Sequence, residues 1–167
     1  MLKIHPPHMV LRANAYLDRV PGLADVYRRA EAANIPVTIH TGTSVFPGAR
    51  SRFGDPMDVD DVAIDFPDLP IIMAHGGRPL YMAEAFFILR RHPNVWFDLS
   101  GIPPKQLLEY FPRLPEIASR VLWGTDWPSP GVRDLRTNID QFLGLPLAIE
   151  HQRAVLEDNA LTLFPLR

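Results

Sequence analysis

A chain of 167 residues, 47% hydrophobic and 22% charged, is long enough to bury a core, and its composition excludes disorder as the main state. Its 17 basic and 19 acidic side chains leave a formal net charge of −2, without the cationic excess that neutralising nucleic-acid phosphates requires. The absence of cysteine excludes disulfides, thiolate metal sites and cysteine nucleophiles, and leaves histidine and carboxylate chemistry open.

No apolar run approaches the roughly 18 residues that span a bilayer, and residues 1–7 have neither the basic nor the apolar region of a signal peptide. The expectation is a single cytoplasmic domain over 1–167, with no membrane or nucleic-acid partner. The 18 prolines, roughly twice average usage, are scattered and punctuate the chain.

In chain order, Leu2-Lys3-Ile4-His5 reads as a short strand stopped by Pro6-Pro7. Leu23, Val26, Tyr27 and Ala30 then recur at helical spacing, followed by an apolar strand at 36–40. Val59, Val62, Ala63 and Phe66 mark a second amphipathic helix and 70–75 a second long apolar strand. Met82, Phe86 and Leu89 give a helix before the strand at 95–99. In 105–119, Pro112 and Pro115 break the helical pattern and predict two short pieces. A strand at 121–125, a helix carrying Leu135, Ile139, Phe142 and Leu143, and a last helix at 149–163 complete the chain. Alternating apolar strands and helices predict an α/β fold of about five βα units around parallel strands covered on both faces.

In such folds ligands bind beyond the carboxyl ends of the strands. The strand ends here read His5, His40, His75, Asp98 and Thr125-Asp126, with three histidines expected in register. His40 precedes Thr41-Gly42 and His75 precedes Gly76-Gly77, so the backbone is free to turn sharply after each ring. Asp126 lies in Trp123-Gly124-Thr125-Asp126-Trp127-Pro128, where Pro128 commits the chain to a loop. Neutral imidazoles with a carboxylate suit zinc, manganese or iron(II), whereas magnesium or calcium would draw mainly on oxygen ligands.

Lys3-Ile4-His5-Pro6, Val37-Thr38-Ile39-His40-Thr41-Gly42, Met73-Ala74-His75-Gly76-Gly77, Gly124-Thr125-Asp126-Trp127-Pro128 and Asn159-Ala160-Leu161-Thr162-Leu163-Phe164 follow one another along the chain. In order and spacing they resemble strands four to eight of the amidohydrolase superfamily barrel. The resemblance is to the amidohydrolase-related branch, which contains metal-dependent hydrolases, lactonases and aromatic-acid decarboxylases. It implies a partial (β/α)8 TIM barrel, the C-terminal part of the family's domain. His40 then resembles the strand-five metal ligand, His75 the strand-six histidine that binds metal or moves a proton, and Asp126 the strand-eight aspartate that handles the proton of a metal-bound water. The implied cofactor is a divalent ion, zinc first and manganese or iron next, and the implied partner is a small organic substrate.

The family also carries an HxH motif at the end of strand one, and no HxH occurs in this sequence. Lys3 is read as structural. Three outcomes follow from that departure: a fragment of a longer chain, favoured here; a half-barrel whose open edges are covered by a second copy or by an N-terminal half; or a non-catalytic binding module. The expected reaction is hydrolysis of a small, cyclic or aromatic acid through a metal-activated water, with non-oxidative decarboxylation as the alternative.

Around this core set, Asp98 is either a substrate contact or a loop cap, and Arg52, in the loop at 43–56, holds a substrate carboxylate or is a solvated loop charge. Trp127 either lines the pocket or wedges the last loop. His92, at a helix end, reads as structural, His151 as solvent-facing and His8 as a loop residue.

Overall fold

The computed structural model describes residues 1–128, 132 and 134–165. Five strands alternate with helices as the apolar rhythm predicts: β1 (Leu2–Ile4), β2 (Val37–His40), β3 (Ile71–Ala74), β4 (Val95–Asp98) and β5 (Val121–Leu122). The helices between them are α1 (Pro6–Met9), α2 (Gly22–Ala32), α3 (Met57–Asp65), α4 (Met82–Arg91) and α5 (Pro104–Tyr110). The chain closes with α6 (Leu135–Leu143), α7 (Ile149–Arg153) and α8 (Asn159–Leu163). It divides into two units, Met1–Trp96 and Phe97–Arg167. No helix of the described residues is long and apolar enough to cross a membrane.

In the first unit β1, β2 and β3 pair in parallel in that order. The Ile71 N–H donates to the carbonyl of Asn94, which leads into β4. All four positions of β2 and of β3 are buried, as expected of continuous apolar strands covered on both faces. Helix α2 turns Leu23, Tyr27 and Ala30 inward, and Val26, about 60° round the helix from Leu23, is instead exposed. Asn34, in left-handed conformation, ends it. Helix α3 buries Val59, Val62, Ala63 and the capping Phe66 as predicted. Helix α4 buries Ala85, Ile88 and Leu89, so the expected inward stripe of Met82 and Phe86 is shifted round the helix.

Polar contacts lace this unit together. Arg12, Asn14 and Tyr16 donate to Asp58, Asp61 and Asp65 at 2.7, 2.6 and 2.6 Å, successive turns of one α3 face. Burial, and then the bond to Asp65, push the Tyr16 hydroxyl pKa well above its usual value. Buried Asp60 receives Arg91 at 2.7 Å and His92 Nε2 at 2.6 Å, the structural role expected of His92. His8, read as a loop residue, lies in the single turn of α1, because Pro6 and Pro7 at its start preset helical φ.

In the second unit β4 and β5 pair in parallel, Phe97 opposite Val121 and Asp98 opposite Leu122. Phe97 packs on Phe111, and Trp123 on Phe142, each at 4.8 Å between centroids. The two short pieces predicted for 105–119 are α5 and a 3-10 helix at Leu114–Arg120. The fifth strand is shorter than 121–125, because the Trp123 N–H turns to the Val155 carbonyl at 3.0 Å. Val155 belongs to a π-helical segment, Ala154–Asp158, joining α7 to α8 where the sequence predicts one helix. Asp134 caps α6 by accepting from the Thr137 N–H at 2.7 Å. That helix buries Phe142 and Asn138, while Leu135 and Leu143 of the predicted stripe are exposed.

Candidate active site

Neighbouring residues of parallel strands share a face when they are level, about 4.8 Å apart. Ile4 pairs with Ile39, so His5 and His40 follow side by side, and their rings stack with centroids 4.0 Å apart and planes at 24°. His75 is not in that register. His40 pairs with Ala74, so His75 is level with Thr41, a one-residue offset that in extended backbone turns a side chain to the opposite face. His75 leaves the extended conformation with φ at 69°, and its ring meets the edge of His40 at 4.6 Å. His8 adds a fourth ring, 4.5 Å from His5.

The loops after β2 and β3 hold these rings. Thr41 Oγ1 donates to the Ala74 carbonyl at 2.8 Å and accepts from the Gly77 N–H at 3.0 Å. The Gly42 N–H donates to the Gly54 carbonyl at 2.7 Å and the Thr43 N–H to the Arg78 carbonyl at 3.0 Å. Gly42 has φ at +89°, and a Cβ there would lie 2.2 Å from the Arg78 carbonyl oxygen. Only glycine satisfies both constraints.

His40 and His75 are each 6% exposed. Burial, reinforced by His75, His5 and Lys3, lowers the His40 pKa to about 2. Burial and then His8 lower that of His5 to about 4. Both rings are therefore neutral at pH 7. His40 Nε2 faces the Thr43 carbonyl at 3.3 Å; a carbonyl only accepts, so this contact places the proton on Nε2 and the lone pair on Nδ1.

Arg52, in the same unit, lies over the Phe53 ring at 4.9 Å and lines a cavity with Arg12 and Arg19. Asp98, Asp126 and Trp127 belong to the second unit. Asp98 accepts from the Ser100 N–H at 2.9 Å and its hydroxyl at 2.6 Å, which favours the loop-cap reading. Gly124 packs on Asp98, leaving a Cβ no room: it would lie 2.2 Å from Oδ1. Trp127 is 57% exposed, with its N–H on Thr125 Oγ1 at 3.2 Å. Asp126 is exposed and, like His75, has left-handed φ, at 60°. For non-glycine residues such backbone costs about 1–3 kcal/mol and gathers at functional sites.

A protein-family model described as amidohydrolase matches residues 2–166. The chain belongs to the amidohydrolase family. The chain is similar to the 2-pyrone-4,6-dicarboxylate hydrolase of Comamonas testosteroni, at 29% identity over 61% of this chain and 46% of that one. It is similar in structure to an uncharacterized TIM-barrel protein of Bordetella bronchiseptica, with a TM-score of 0.74 and 24% identity over 96% of this chain and 56% of that one. It also resembles the 5-carboxyvanillate decarboxylase of Sphingomonas paucimobilis, with a TM-score of 0.62 and 17% identity over 88% of this chain and 54% of that one. The chain spans about half the length of these relatives, and its α/β fold is that of part of a TIM barrel.

The family's chemistry is typically metal-dependent, and the histidines fit a divalent metal in kind: they are close together, and His5 and His40 are neutral at pH 7. They fall short in number. Among the described residues no group of three or more histidines and carboxylates is placed to hold a metal ion. The structure brings the His40 and His75 rings to 4.6 Å of each other and stacks on His40 the ring of His5, a strand-end histidine left out of the candidate ligand set. Its place at a strand end, shared with the other two, was the signal for it.

Proposed function

We propose that this amidohydrolase chain, one domain over 1–167, is the C-terminal portion of a metal-dependent hydrolase barrel acting on a small organic acid, cyclic or aromatic. The observation that carries the reading is the stack of strand-end histidines in a family member, held neutral at its centre. The name of the curated relative, a dicarboxylate hydrolase, supports hydrolysis. The cytoplasmic location and the covering of open barrel edges by a second copy or an N-terminal half belong to the same proposal.

In this reading His40, His75 and Asp126 hold a divalent ion, zinc before manganese or iron, with further ligands from outside the chain. When bound, the ion supplies a polarised water at neutral pH. Asp126 would serve as a general base, and His75 would pass a proton or steady charge on the substrate. His5 fixes the plane of His40 by stacking on it. Arg52 contacts the substrate carboxylate, with Trp127 as a further contact, while Asp98 caps its loop through Ser100. Non-oxidative decarboxylation is the alternative on the same scaffold. A non-catalytic module is the third reading, favoured by the missing three-ligand group among the described residues.

Calorimetric titration of the chain with zinc tests the proposal. Saturable binding, weakened at least tenfold in His40→Ala and in Asp126→Ala, is expected. Absence of binding, or binding indifferent to both substitutions, overturns it in favour of the module. Release of carbon dioxide from aromatic acids, without opening of lactones, selects decarboxylation.

A further inference from the structure

Four imidazoles form a row in the first unit, with 4.5 Å from His8 to His5, 4.0 Å from His5 to His40 and 4.6 Å from His40 to His75 between centroids. Hydrogen bonds decide which ring atoms of the middle pair are left open. His40 donates from Nε2 to the Thr43 carbonyl and keeps its lone pair on Nδ1. In His5 the assignment is the reverse. The His8 backbone N–H, shared with the His5 carbonyl at 3.1 Å, also donates to His5 Nδ1 at 3.4 Å. Accepting that bond requires a lone pair on Nδ1, so the ring proton of His5 sits on Nε2.

Among the described residues His5 Nε2 has no hydrogen-bond partner, and its ring is only partly exposed. The stack on His40 and the edge contact with His8 hold the ring in place. Helix α1, which supplies the His8 N–H, is itself tied to the loop after β2 by the Arg50 N–H on the Pro7 carbonyl at 2.8 Å. A donor fixed in this way needs no reorganisation when an acceptor arrives, which is what stabilises an oxygen that gains charge during a reaction. The same N–H is the wrong atom for a cation, because a metal binds a nitrogen lone pair. His40 thus leaves open an atom suited to an ion, and His5 an atom suited to an oxygen.

We propose that His5 is a catalytic residue of this site, its Nε2–H donating a hydrogen bond to the acyl oxygen of the substrate. No proton is transferred: it stays on Nε2, and the bond strengthens as negative charge gathers on the oxygen. The inference rests on the reading of the strand-end histidines as a hydrolytic site, and gives His5 a contact with substrate that stacking on His40 does not supply.

The test uses the 167-residue chain with a chelator present, so that its outcome is independent of metal binding. The probe is phenylphosphonate, whose tetrahedral oxygens stand in for an acyl group under attack. Long-range proton–nitrogen NMR of the histidine-labelled chain at pH 7 should place the His5 proton on Nε2, and that N–H resonance should shift saturably as the probe is added. His5→Gln carries an amide donor at the reach of Nε2, whereas His5→Asn carries one only at the reach of Nδ1. Affinity for the probe should fall about fivefold or more in His5→Asn and be largely kept in His5→Gln. A proton on Nδ1, a resonance indifferent to the probe, equal affinity in His5→Asn, or a loss in His5→Gln as large as in His5→Asn overturns the proposal. The two NMR measurements are made on the wild type and stand even where a variant fails to fold. Zinc titration without the chelator reads the metal site separately: a chain that binds no zinc but meets these expectations would sink the metal-dependent reading and leave the His5 donor in place.

Discussion

The imidazole of His5 lies flat against that of His40, centroids 4.0 Å apart, because β1 and β2 bring the two residues level at their ends. Desolvated by burial, and then opposed by neighbouring imidazoles, these rings resist protonation, His5 down to about pH 4 and His40 to about pH 2. The unfolded chain takes up these protons near pH 6.5, so between those limits it binds more protons than the folded one. The stability conferred by neutral histidines is complete above about pH 6.5 and is lost as pH falls towards the folded values. For His40 alone the slope is at most about 1.4 kcal/mol per pH unit. Urea denaturation of the metal-free chain at pH 7.5 and 5.5 should show this loss, and His40→Gln should flatten it. Equal midpoints for the wild type at the two pH values would contradict the burial of these rings as neutral imidazoles.

Gly42 couples the two loops that carry His40 and His75. Alanine there meets the Arg78 carbonyl and must also hold φ at +89°. Gly42→Ala should cost at least about 2 kcal/mol, measured by urea denaturation. Gly48→Ala, where φ is +86° and nothing lies within 4 Å of the added carbon, carries only the backbone part and should cost less.

Much of this was legible in the residues themselves. Strands β2 and β3 are near-continuous apolar runs, and the histidines at their ends are visible as exceptions to those runs. The left-handed turn at His75 was not, because it answers a one-residue offset between strands that periodicity along either strand does not record. The short β5 was likewise hidden, since the carbonyl that draws Trp123 away is in a π-helical turn far along the chain. Arg52 read ambiguously because its partners in the cavity, Arg12 and Arg19, come from a different loop.

Asp60 and Asp25 both pair with arginine, in opposite surroundings. Asp60 is buried between Arg91 and buried His92, whereas Asp25 and Arg28 are each more than 60% exposed. Asp60→Ala strands a buried imidazole and should cost about 3 kcal/mol, while Asp25→Ala should stay within about 0.5 kcal/mol. Thermal denaturation of the two variants side by side checks the contrast.

Asn159 is buried, and its amide donates to the Ala118 and Val121 carbonyls, each at 2.7 Å. Asn159→Ala leaves both acceptors without this donor and should cost about 1–3 kcal/mol. Asn159→Asp, of equal size, replaces the donor by a carboxylate facing two carbonyl oxygens and should be the worse of the two at pH 7. If the aspartate variant melts at or above the alanine variant, filling of space and not donation is what Asn159 supplies.

The conformation of His75 separates backbone strain from loss of the ring. Replacing it with alanine or glycine removes the imidazole equally, but only glycine adopts φ near 69° without cost. His75→Gly should therefore be more stable than His75→Ala by about 1 kcal/mol in urea denaturation. At His40, inside β2 and without positive φ, the order should reverse, because glycine in a strand gives up more conformational freedom on folding. The same order at both positions would show that the strain at His75 is relieved by movement of its loop. A reversed order would mean that the fold holds His75 in a costly conformation, as it must if the ring is to cross the register offset and meet His40.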